Sequence, residues 1–187
     1  MVAFEKAGRK NTSETLNAAL DFAVEHGVKE VIVASTCGDT AIKAVELLEA
    51  RKIQDIKLIA VTHNFGFKGK PEIEIESETR ANLIERGVLV YTGTMPFRNI
   101  GTAIRETMGY SQQDLIANTL RLMGQGVKVC VEIALMAFDA GLISGEDVVT
   151  IAGTGRGADT ACLIKPAPSN KLFKLKIRRI IAKPVDW

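Results

Sequence analysis

The segment Ser35–Thr40 (STCGDT) places three hydroxyl groups, a thiol, a glycine and a carboxylate within six positions. It follows the apolar run Val31–Ala34, which predicts a buried strand, and Gly38–Ala50 predicts a helix. The first turn of a helix presents unpaired N–H groups and partial positive charge, and hydroxyls beside it complete an anion site. Capping a helix needs only one hydroxyl. The sequence therefore predicts a phosphate-binding loop, formed by Ser35, Thr36, Cys37, Gly38, Asp39 and Thr40.

Three residues of this loop raise separate expectations. Gly38 lets backbone approach a ligand closely. Asp39 repels a phosphate unless its carboxylate points away. Cys37 lies at a helix start, where a thiolate is favoured, and His63 at the end of the next strand is a candidate base for it. A small residue inside a phosphate-binding loop explains Cys37 equally well.

A second loop, Gly153–Thr160 (GTGRGADT), has three glycines at alternate positions with an arginine among them. This pattern suits a loop that wraps a phosphate or a planar ring, and a plain hairpin turn is the alternative. No helix clearly follows it, so the dinucleotide-binding fingerprint lacks its structural context. The candidate ligand residues here are Gly153, Thr154, Gly155, Arg156, Gly157, Ala158 and Thr160.

Four loops are predicted to leave the carboxyl ends of strands, where open parallel sheets bind ligands. They are Ser35–Thr40, His63–Lys70, Thr92–Gly101 and Gly153–Asp159. The second and third loops add His63, Asn64, Thr94 and Arg98 as candidate contacts. Arg98 and Arg156 are the best fixed cations, because a guanidinium pairs bidentately with phosphate or carboxylate.

Hydrophobic periodicity and turn residues predict the elements that position these loops. Strands are predicted at Val31–Ala34, Lys57–Thr62, Val88–Tyr91, Asp147–Ala152, Thr160–Lys165 and Phe173–Arg178. Helices are predicted at Asn11–Gly27, Gly38–Ala50 and Thr79–Arg86, and over about thirty residues from Ser111. Strands that alternate with helices indicate a parallel sheet covered on both faces.

The order of these elements gives four further expectations. The strand Asp147–Ala152 should lie beside Val31–Ala34, so that the two glycine-containing loops share one pocket. The apolar helix Val127–Ala140 should lie in the core. Thr92–Gly126 should form a lobe over one edge of the sheet. Phe173–Arg178 should be an edge strand guarded by lysines.

Composition excludes several classes of function. A net charge of +2 and an aromatic content of 5% argue against nucleic-acid binding. No stretch offers eighteen uncharged apolar residues, so no membrane span is expected. The N-terminus lacks the apolar region of a signal peptide, and the three scattered cysteines form neither a CxxC nor a zinc pattern. We therefore expect a cytoplasmic protein without a metal site; the glutamates near Glu74 are expected in an exposed strand or loop.

The chain resembles the C-terminal, effector-binding domain of pyruvate kinase. The likeness lies in ASTCGDTA, LIAVTHN, GEDVVTIAG and GADTACLI, within Lys29–Asn64 and Ser144–Pro168. It implies a three-layer α/β sandwich, a mostly parallel sheet with helices on both faces and an antiparallel C-terminal edge. The chain would be a single domain, 1–187, with an enlarged middle segment at about 65–143.

The same resemblance implies a pocket for a phosphorylated small molecule and association into a homo-oligomer, which we expect to be a C2 dimer. Ser35–Thr40 would hold the phosphate and Gly153–Thr160 would close over the ligand. No catalytic barrel is present, so pyruvate kinase activity is not implied.

The segment STCGDT is also similar to the loop with which flavodoxins hold the phosphate of FMN. Aromatic residues that could cover a flavin ring lie in or beside the same loops: Phe65, Phe67, Tyr91 and Phe97. The predicted ligand is therefore FMN or a sugar or nucleotide phosphate. Two other functions stay open, a flavin-dependent oxidoreductase and a structural or regulatory homo-oligomer without catalytic activity.

Overall fold

The computed structural model of the chain describes residues 1–187, which form one seven-stranded sheet with helices on both faces. The strands are β1 (Val2–Lys6), β2 (Glu30–Ala34), β3 (Lys57–Val61), β4 (Leu89–Tyr91), β5 (Val148–Ala152), β6 (Thr160–Lys165) and β7 (Lys176–Asp186). The helices are α1 (Thr12–Glu25), α2 (Asp39–Ala50), α3 (Ser77–Glu85), α4 (Asn99–Met108), α5 (Gln112–Arg121) and α6 (Gln125–Asp139). Short 3-10 helices occupy Arg9–Asn11 and Ser169–Lys174.

The strand order is β1-β7-β6-β5-β2-β3-β4. Strands β5, β2, β3 and β4 are parallel to one another, whereas β6 is antiparallel to both β5 and β7. This confirms the predicted α/β fold with a mostly parallel sheet and an antiparallel C-terminal part. Val31 lies opposite Val149, and Val33 lies opposite Ile151. The predicted neighbours are thus adjacent, and the strand order switches direction between β2 and β5.

Two hydrophobic cores lie on opposite faces of the sheet. Successive side chains of a strand point to opposite faces, so Val31 and Val33 belong to one core and Ile32 to the other. The first core is covered by α1, α2 and α3. The second is covered by α6, whose side chains are nearly all buried, as its apolar sequence predicted.

The C-terminal strand differs from its prediction. Phe173 lies in the 3-10 helix and is exposed, and β7 begins only at Lys176. β1 pairs only with Ala182–Asp186 of β7, so Lys176 and Arg178 lie in the part of β7 that has β6 as its single neighbour, as in an edge strand. The prediction missed β1, which is parallel to β7 and pairs Val2 with Ala182. This strand is short and buries only Phe4, which leaves almost no periodic signal in the sequence.

The middle of the chain forms a lobe, which stacks on α6 over the central strands and not over an edge of the sheet as expected. α4 packs on α5, which packs on α6. The prediction placed helix only from Ser111 and missed α4, although Ile100, Ile104 and Met108 recur at helical spacing.

No helix of the structure combines the length and the apolar character that crossing a membrane requires.

Candidate functional site

The loops at the carboxyl edge of the sheet surround two adjoining cavities. The smaller cavity has a volume of 290 Å³ and lies between the Ser35–Thr40 and Gly153–Thr160 loops. The larger cavity has a volume of 610 Å³ and lies beneath α4 and α5. Residues common to both walls are Ala34, Ser35, Thr36, His63, Gln125 and Val129. The two cavities therefore form one continuous cleft at the predicted position.

The Ser35–Thr40 loop, which lines the smaller cavity, contains a row of free amides. The N–H groups of residues 36–40 have no backbone carbonyl partner. The Ser35 hydroxyl accepts a hydrogen bond from the Ala41 amide at 3.1 Å and so caps α2 from within the loop. Successive unpaired amides at a helix start carry partial positive charge and form a concave anion site.

Gly38 is required by the backbone of this loop. It is the N-cap of α2 with φ of 97°, and a Cβ there would lie 2.4 Å from Cγ2 of Thr79. Any side chain would therefore face both backbone strain and a collision. The reason for the glycine is the turn into α2 and its contact with α3, not the close approach of a ligand.

Asp39 and Thr40 point in different directions from the start of α2. The Asp39 carboxylate forms an ion pair with Arg9 at 3.6 Å, and so its charge is balanced outside the loop. Thr40 lines the smaller cavity and is only 5% exposed, yet its hydroxyl has no hydrogen-bond partner in the protein. This oxygen is not enclosed by the protein, so it is free to hydrogen-bond with a ligand or with water in the cavity.

The Gly153–Thr160 loop faces the Ser35–Thr40 loop across the smaller cavity. Arg156 donates from Nη1 to Sγ of Cys37 at 3.5 Å, and no carboxylate lies within ion-pair distance of its guanidinium. The same loop contributes Gly153, Gly155 and Gly157 to the cavity wall. The shared pocket expected from the strand order is therefore present.

Asp159 fixes the conformation of this second loop. Its buried carboxylate accepts hydrogen bonds from the amides of Gly8 and Thr154, at 2.9 and 3.1 Å, and from the Thr160 hydroxyl at 2.8 Å. Sequence analysis did not select Asp159 as a structural residue. Its position after three glycines was the only available signal, because its main partner, Gly8, is 151 residues away in the chain.

The three glycines of this loop have different roles. A Cβ at Gly153 would lie 2.4 Å from the carbonyl oxygen of Gly157, and one at Gly157 would lie 2.5 Å from the Thr12 hydroxyl. Both are therefore required by packing of the backbone. Only Gly155, with φ of 80°, faces open space. Of the three glycines, Gly155 alone leaves space that a side chain would otherwise occupy.

His63 is held at the boundary between the two cavities. Its Nδ1 lies 2.6 Å from Oε2 of Glu74, and its Nε2 lies 3.3 Å from the Thr36 hydroxyl. Its ring stacks on Phe67 with centroids 3.8 Å apart, and the Arg98 guanidinium covers the ring of Phe67 at 4.4 Å. His63 therefore faces Thr36 rather than Cys37, and the predicted Cys37–His63 pair does not form.

Glu74 was expected in an exposed segment, but its side chain is 9% exposed. Burial opposes its ionisation, but hydrogen bonds from Lys68 and His63 outweigh this effect and lower the pKa of the Glu74 carboxyl. Alternation of glutamate and isoleucine at 72–75 suggested that all the glutamates point outward. The loop instead bends, so that Glu74 points inward beside the buried Ile75.

The larger cavity is lined by the lobe and by α6. Its apolar wall consists of Met95, Phe97, Leu115, Val129, Ile133 and Met136. Its basic side chains are Arg98, Arg105, Arg121 and Lys128. Of the three arginines, only Arg105 has a carboxylate partner, Asp114 at 3.1 Å. This cavity therefore combines a broad apolar surface with guanidinium groups that have no carboxylate partner.

A buried ion pair supports the larger cavity. Lys128 and Glu132, one turn apart on α6, form a hydrogen-bonded ion pair that is almost completely buried. Glu132 also accepts a hydrogen bond from the Phe97 amide at 2.9 Å, which fixes the Thr92–Gly101 loop to α6. Burial lowers the pKa of Lys128, although Glu132 opposes this effect. Sequence analysis treated this helix only as apolar core.

Some predicted site residues lie outside both cavity walls. These are Gly38, Asn64, Thr94, Thr154, Ala158 and Thr160. Asn64 accepts a hydrogen bond from Asn99, and the Ala158 amide donates to the Thr12 hydroxyl. The Thr154 hydroxyl is buried without a hydrogen-bond partner. No group of acidic, histidine or cysteine side chains is placed to hold a metal ion.

Comparison with known proteins identifies the family. The sequence model described as pyruvate kinase, alpha/beta domain, matches residues 13–164. The chain is similar to a pyruvate kinase from Cryptosporidium parvum at 19% identity, covering 82% of this chain and 22% of that one, with a TM-score of 0.41. A Cryptosporidium parvum pyruvate kinase in complex with ADP has the same identity and TM-score, and 23% of it is covered. The chain thus spans less than a quarter of these pyruvate kinases. Because the family model covers most of the sequence, this chain belongs to the pyruvate kinase alpha/beta domain family.

Proposed function

We propose that this protein binds a phosphorylated small molecule in the cleft, with the phosphate in the smaller cavity. The observation that carries this proposal is the row of unpaired amides at residues 36–40, which lies beside the unpaired Thr40 hydroxyl and opposite Arg156. These groups are hydrogen-bond donors of the kind that phosphate oxygens accept. No carboxylate competes for Arg156, and the Asp39 charge is balanced by Arg9.

The rest of the ligand would occupy the larger cavity. Met95, Phe97 and Ile133 offer an apolar surface to a flat ring, and Arg98 and Arg121 offer donors to its polar edge. A volume of 610 Å³ is within the range of small-molecule sites. FMN fits these features because it joins a planar ring system to a terminal phosphate. A sugar or nucleotide phosphate is the alternative ligand. If the protein binds FMN and is an enzyme, we propose a flavin-dependent oxidoreductase.

Paired titrations with FMN and riboflavin test this proposal, because the two differ only in the phosphate. Quenching of flavin fluorescence should give FMN an affinity about 100-fold higher than riboflavin, as expected for two charge-assisted contacts. Arg156→Gln and Thr40→Val should reduce FMN affinity about tenfold or more each and leave riboflavin binding unchanged. Arg178→Gln, which removes a surface arginine paired with Asp147 on the antiparallel side of the sheet, is the control.

Equal affinities for FMN and riboflavin would overturn the assignment of the phosphate to the smaller cavity. Absence of binding by either flavin, together with binding of inorganic phosphate, would select the sugar or nucleotide phosphate instead. If neither flavins nor inorganic phosphate bind, the proposed function is wrong.

We also propose a homodimer, formed through an exposed apolar surface of the lobe. The helix Val127–Ala140 is buried within this chain, so it offers no surface to a partner. The lobe instead exposes a group of large apolar side chains, which are Ile100, Met108, Tyr110, Leu115 and Leu122. A structural or regulatory oligomer would use this surface, and light scattering that gives a mass of 20.2 kDa at micromolar concentration would refute it. The cytoplasmic location stays a prediction, supported by three free cysteines.

A further inference from the structure

Lys128 is a buried amine in the wall of the larger cavity. One face of α6 lines this cavity, and its residues recur at helical spacing: Gln125, Lys128, Val129, Glu132, Ile133 and Met136. The Lys128 side chain is only 5% exposed, yet it belongs to this wall. A molecule bound in the larger cavity therefore lies beside Lys128, whereas bulk solvent hardly reaches this side chain.

The surroundings of Lys128 favour the neutral form of its amine. Burial in apolar surroundings and neighbouring cations both disfavour an ammonium group. Burial is the largest influence and lowers the pKa of Lys128. Arg121 and Arg98 lower this pKa further, and the pairing with Glu132 only partly opposes these effects. A neutral amine is a nucleophile whereas an ammonium group is not, and buried lysines are used in this way for covalent catalysis.

Glu132 supplies an acceptor for the proton that the amine loses. Its Oε2 is hydrogen-bonded to Nζ of Lys128, and its Oε1 accepts a hydrogen bond from the Phe97 amide at 2.9 Å. Transfer of one proton from Nζ to Oε2 leaves a neutral amine beside a neutral carboxyl, which a buried site tolerates better than two charges. The Phe97 amide fixes the carboxyl group, so the same group can return the proton.

We propose that Lys128 forms a reversible imine with a small aldehyde or ketone that binds in the larger cavity. Nζ attacks the carbonyl carbon, and the carbonyl oxygen takes the proton that Glu132 received from Nζ. A second proton then passes from the nitrogen through Glu132 to the new hydroxyl group, which leaves as water. One ammonium group and one carbonyl group thus give one protonated imine and one water, with no oxidant or other reactant. This covalent step goes beyond the proposed function, because it does not require a phosphate in the smaller cavity.

The rest of the larger cavity indicates which carbonyl compounds it takes. Phe97 and Ile133 offer an apolar surface to the carbon skeleton. Arg121 is fixed by hydrogen bonds from Nε to Gln125 and from Nη1 to Asn118, both of 2.7 Å, and its Nη2 makes no hydrogen bond within the protein. A guanidinium group pairs well with a carboxylate. The ligand class is therefore an aldehyde or ketone that carries an acidic group.

Reductive trapping tests the imine, since sodium cyanoborohydride converts an imine into a stable secondary amine. The probe is para-carboxybenzaldehyde, which joins an aldehyde, a flat ring and a carboxylate. At pH 7 the first adduct should map to Lys128 by peptide mass spectrometry. The exposed Lys176 is the internal reference, and it should react about tenfold more slowly or less, because no cavity holds the aldehyde beside its amine. The unreactive alcohol, para-carboxybenzyl alcohol, should slow labelling of Lys128 alone.

Two variants separate the reaction from the binding of the acidic group. The double variant Lys128→Met with Glu132→Leu removes the amine and leaves no buried charge, so it should fold and lose the fast labelling. Arg121→Gln should slow labelling by para-carboxybenzaldehyde about tenfold and should not slow labelling by benzaldehyde, which lacks the carboxylate. Arg178→Gln, which removes an arginine outside the cavity, is the matched control.

The outcomes distinguish the parts of this inference. Labelling of exposed lysines with Lys128 unmodified, or fast labelling that persists in the double variant, overturns the imine at Lys128. Equal rates with benzaldehyde and para-carboxybenzaldehyde overturn the role of Arg121 and leave the imine in place. Fast labelling of Lys128 that depends on Arg121 supports both, whatever the flavin titrations show about phosphate.

Discussion

The two cavities of the cleft are built in opposite ways. The smaller one lies between two loops, with the free amides of residues 36–40 in one loop and the glycines of the Gly153–Thr160 loop opposite. The larger one is formed by side chains from α4, α5 and α6. Backbone at the end of a parallel strand provides a general anion site. Side chains on the helices provide a surface that can differ from one protein to another.

The ion pairs near the two cavities differ in how deeply they are buried. In the smaller cavity, Asp39 and Arg9 are both more than half exposed, so their ion pair is screened by solvent. In the larger cavity, Lys128 and Glu132 are almost fully buried. Removing one partner of a buried pair leaves an uncompensated charge, whereas an exposed pair contributes little. Stability should therefore depend on charges near the larger cavity, and ligand affinity on groups near the smaller one.

The largest expected effect comes from breaking the buried pair. Glu132→Ala should lower the free energy of unfolding by about 3–5 kcal/mol at pH 7, because Lys128 stays buried and the Phe97 amide loses its acceptor. Burial already lowers the pKa of Lys128, so the folded state binds fewer protons than the unfolded state as the pH approaches the ordinary lysine range. Stability of the variant should consequently rise with pH between about 7 and 10.

Urea unfolding measures this effect, and the chain provides two matched variants. Asp114→Ala breaks the more exposed pair with Arg105 in the same cavity and should cost about 1 kcal/mol or less. The double variant Lys128→Met with Glu132→Leu should recover most of the loss. A loss for Glu132→Ala no greater than that for Asp114→Ala would contradict burial of the ion pair as the cause of its large contribution.

A smaller effect is expected at Glu74, beside the smaller cavity. The pKa of this carboxyl is below its ordinary value of 4.5 when the protein is folded, so its ion pairs stabilise the protein above that pH. This contribution is lost as the pH falls through the folded pKa. Glu74→Gln should therefore be less stable than the natural protein at pH 7, by about 1 kcal/mol or less, and the difference should shrink below pH 4.

The neighbouring Glu72 is exposed and forms no ion pair, so Glu72→Gln is the control for this measurement. Unfolding curves at pH 3.5, 5 and 7 would compare the three proteins. A difference between the natural protein and Glu74→Gln that stays constant across this range would contradict the ionisation of Glu74 as its cause.

The smaller cavity could be predicted from sequence because local rules determine it. A buried strand, a segment of small polar residues and a helix start are adjacent in the chain, and the topology of parallel sheets brings the second loop to the same edge. The same reasoning placed β5 beside β2. Strands and helices with strong periodicity, such as α1, α2 and α6, were predicted close to their observed bounds.

The larger cavity could not be predicted because contacts between distant segments create it. Phe97 is held by Glu132, 35 residues away, and His63 is oriented by Glu74 in a loop with no regular structure. α4 has an apolar stripe, but Ile100 and Met108 on that stripe are exposed. The spacing of apolar residues in α4 therefore does not predict which side chains are buried. When two interacting residues are brought together only by the folded chain, composition and spacing cannot predict their contact.

Alkylation of Cys37 would test most directly whether phosphate occupies the smaller cavity. Cys37 lines this cavity, whereas Cys130 and Cys162 are buried, and hydrogen bonding with Cys130 and burial raise the pKa of the Cys162 thiol well above its ordinary value. Iodoacetamide should therefore react first at Cys37, and peptide mass spectrometry gives its rate. FMN and inorganic phosphate, each at ten times its Kd, should slow this reaction about tenfold, and riboflavin should not. An unchanged rate in saturating FMN and phosphate, or equal protection by riboflavin, would contradict a phosphate site between the two loops.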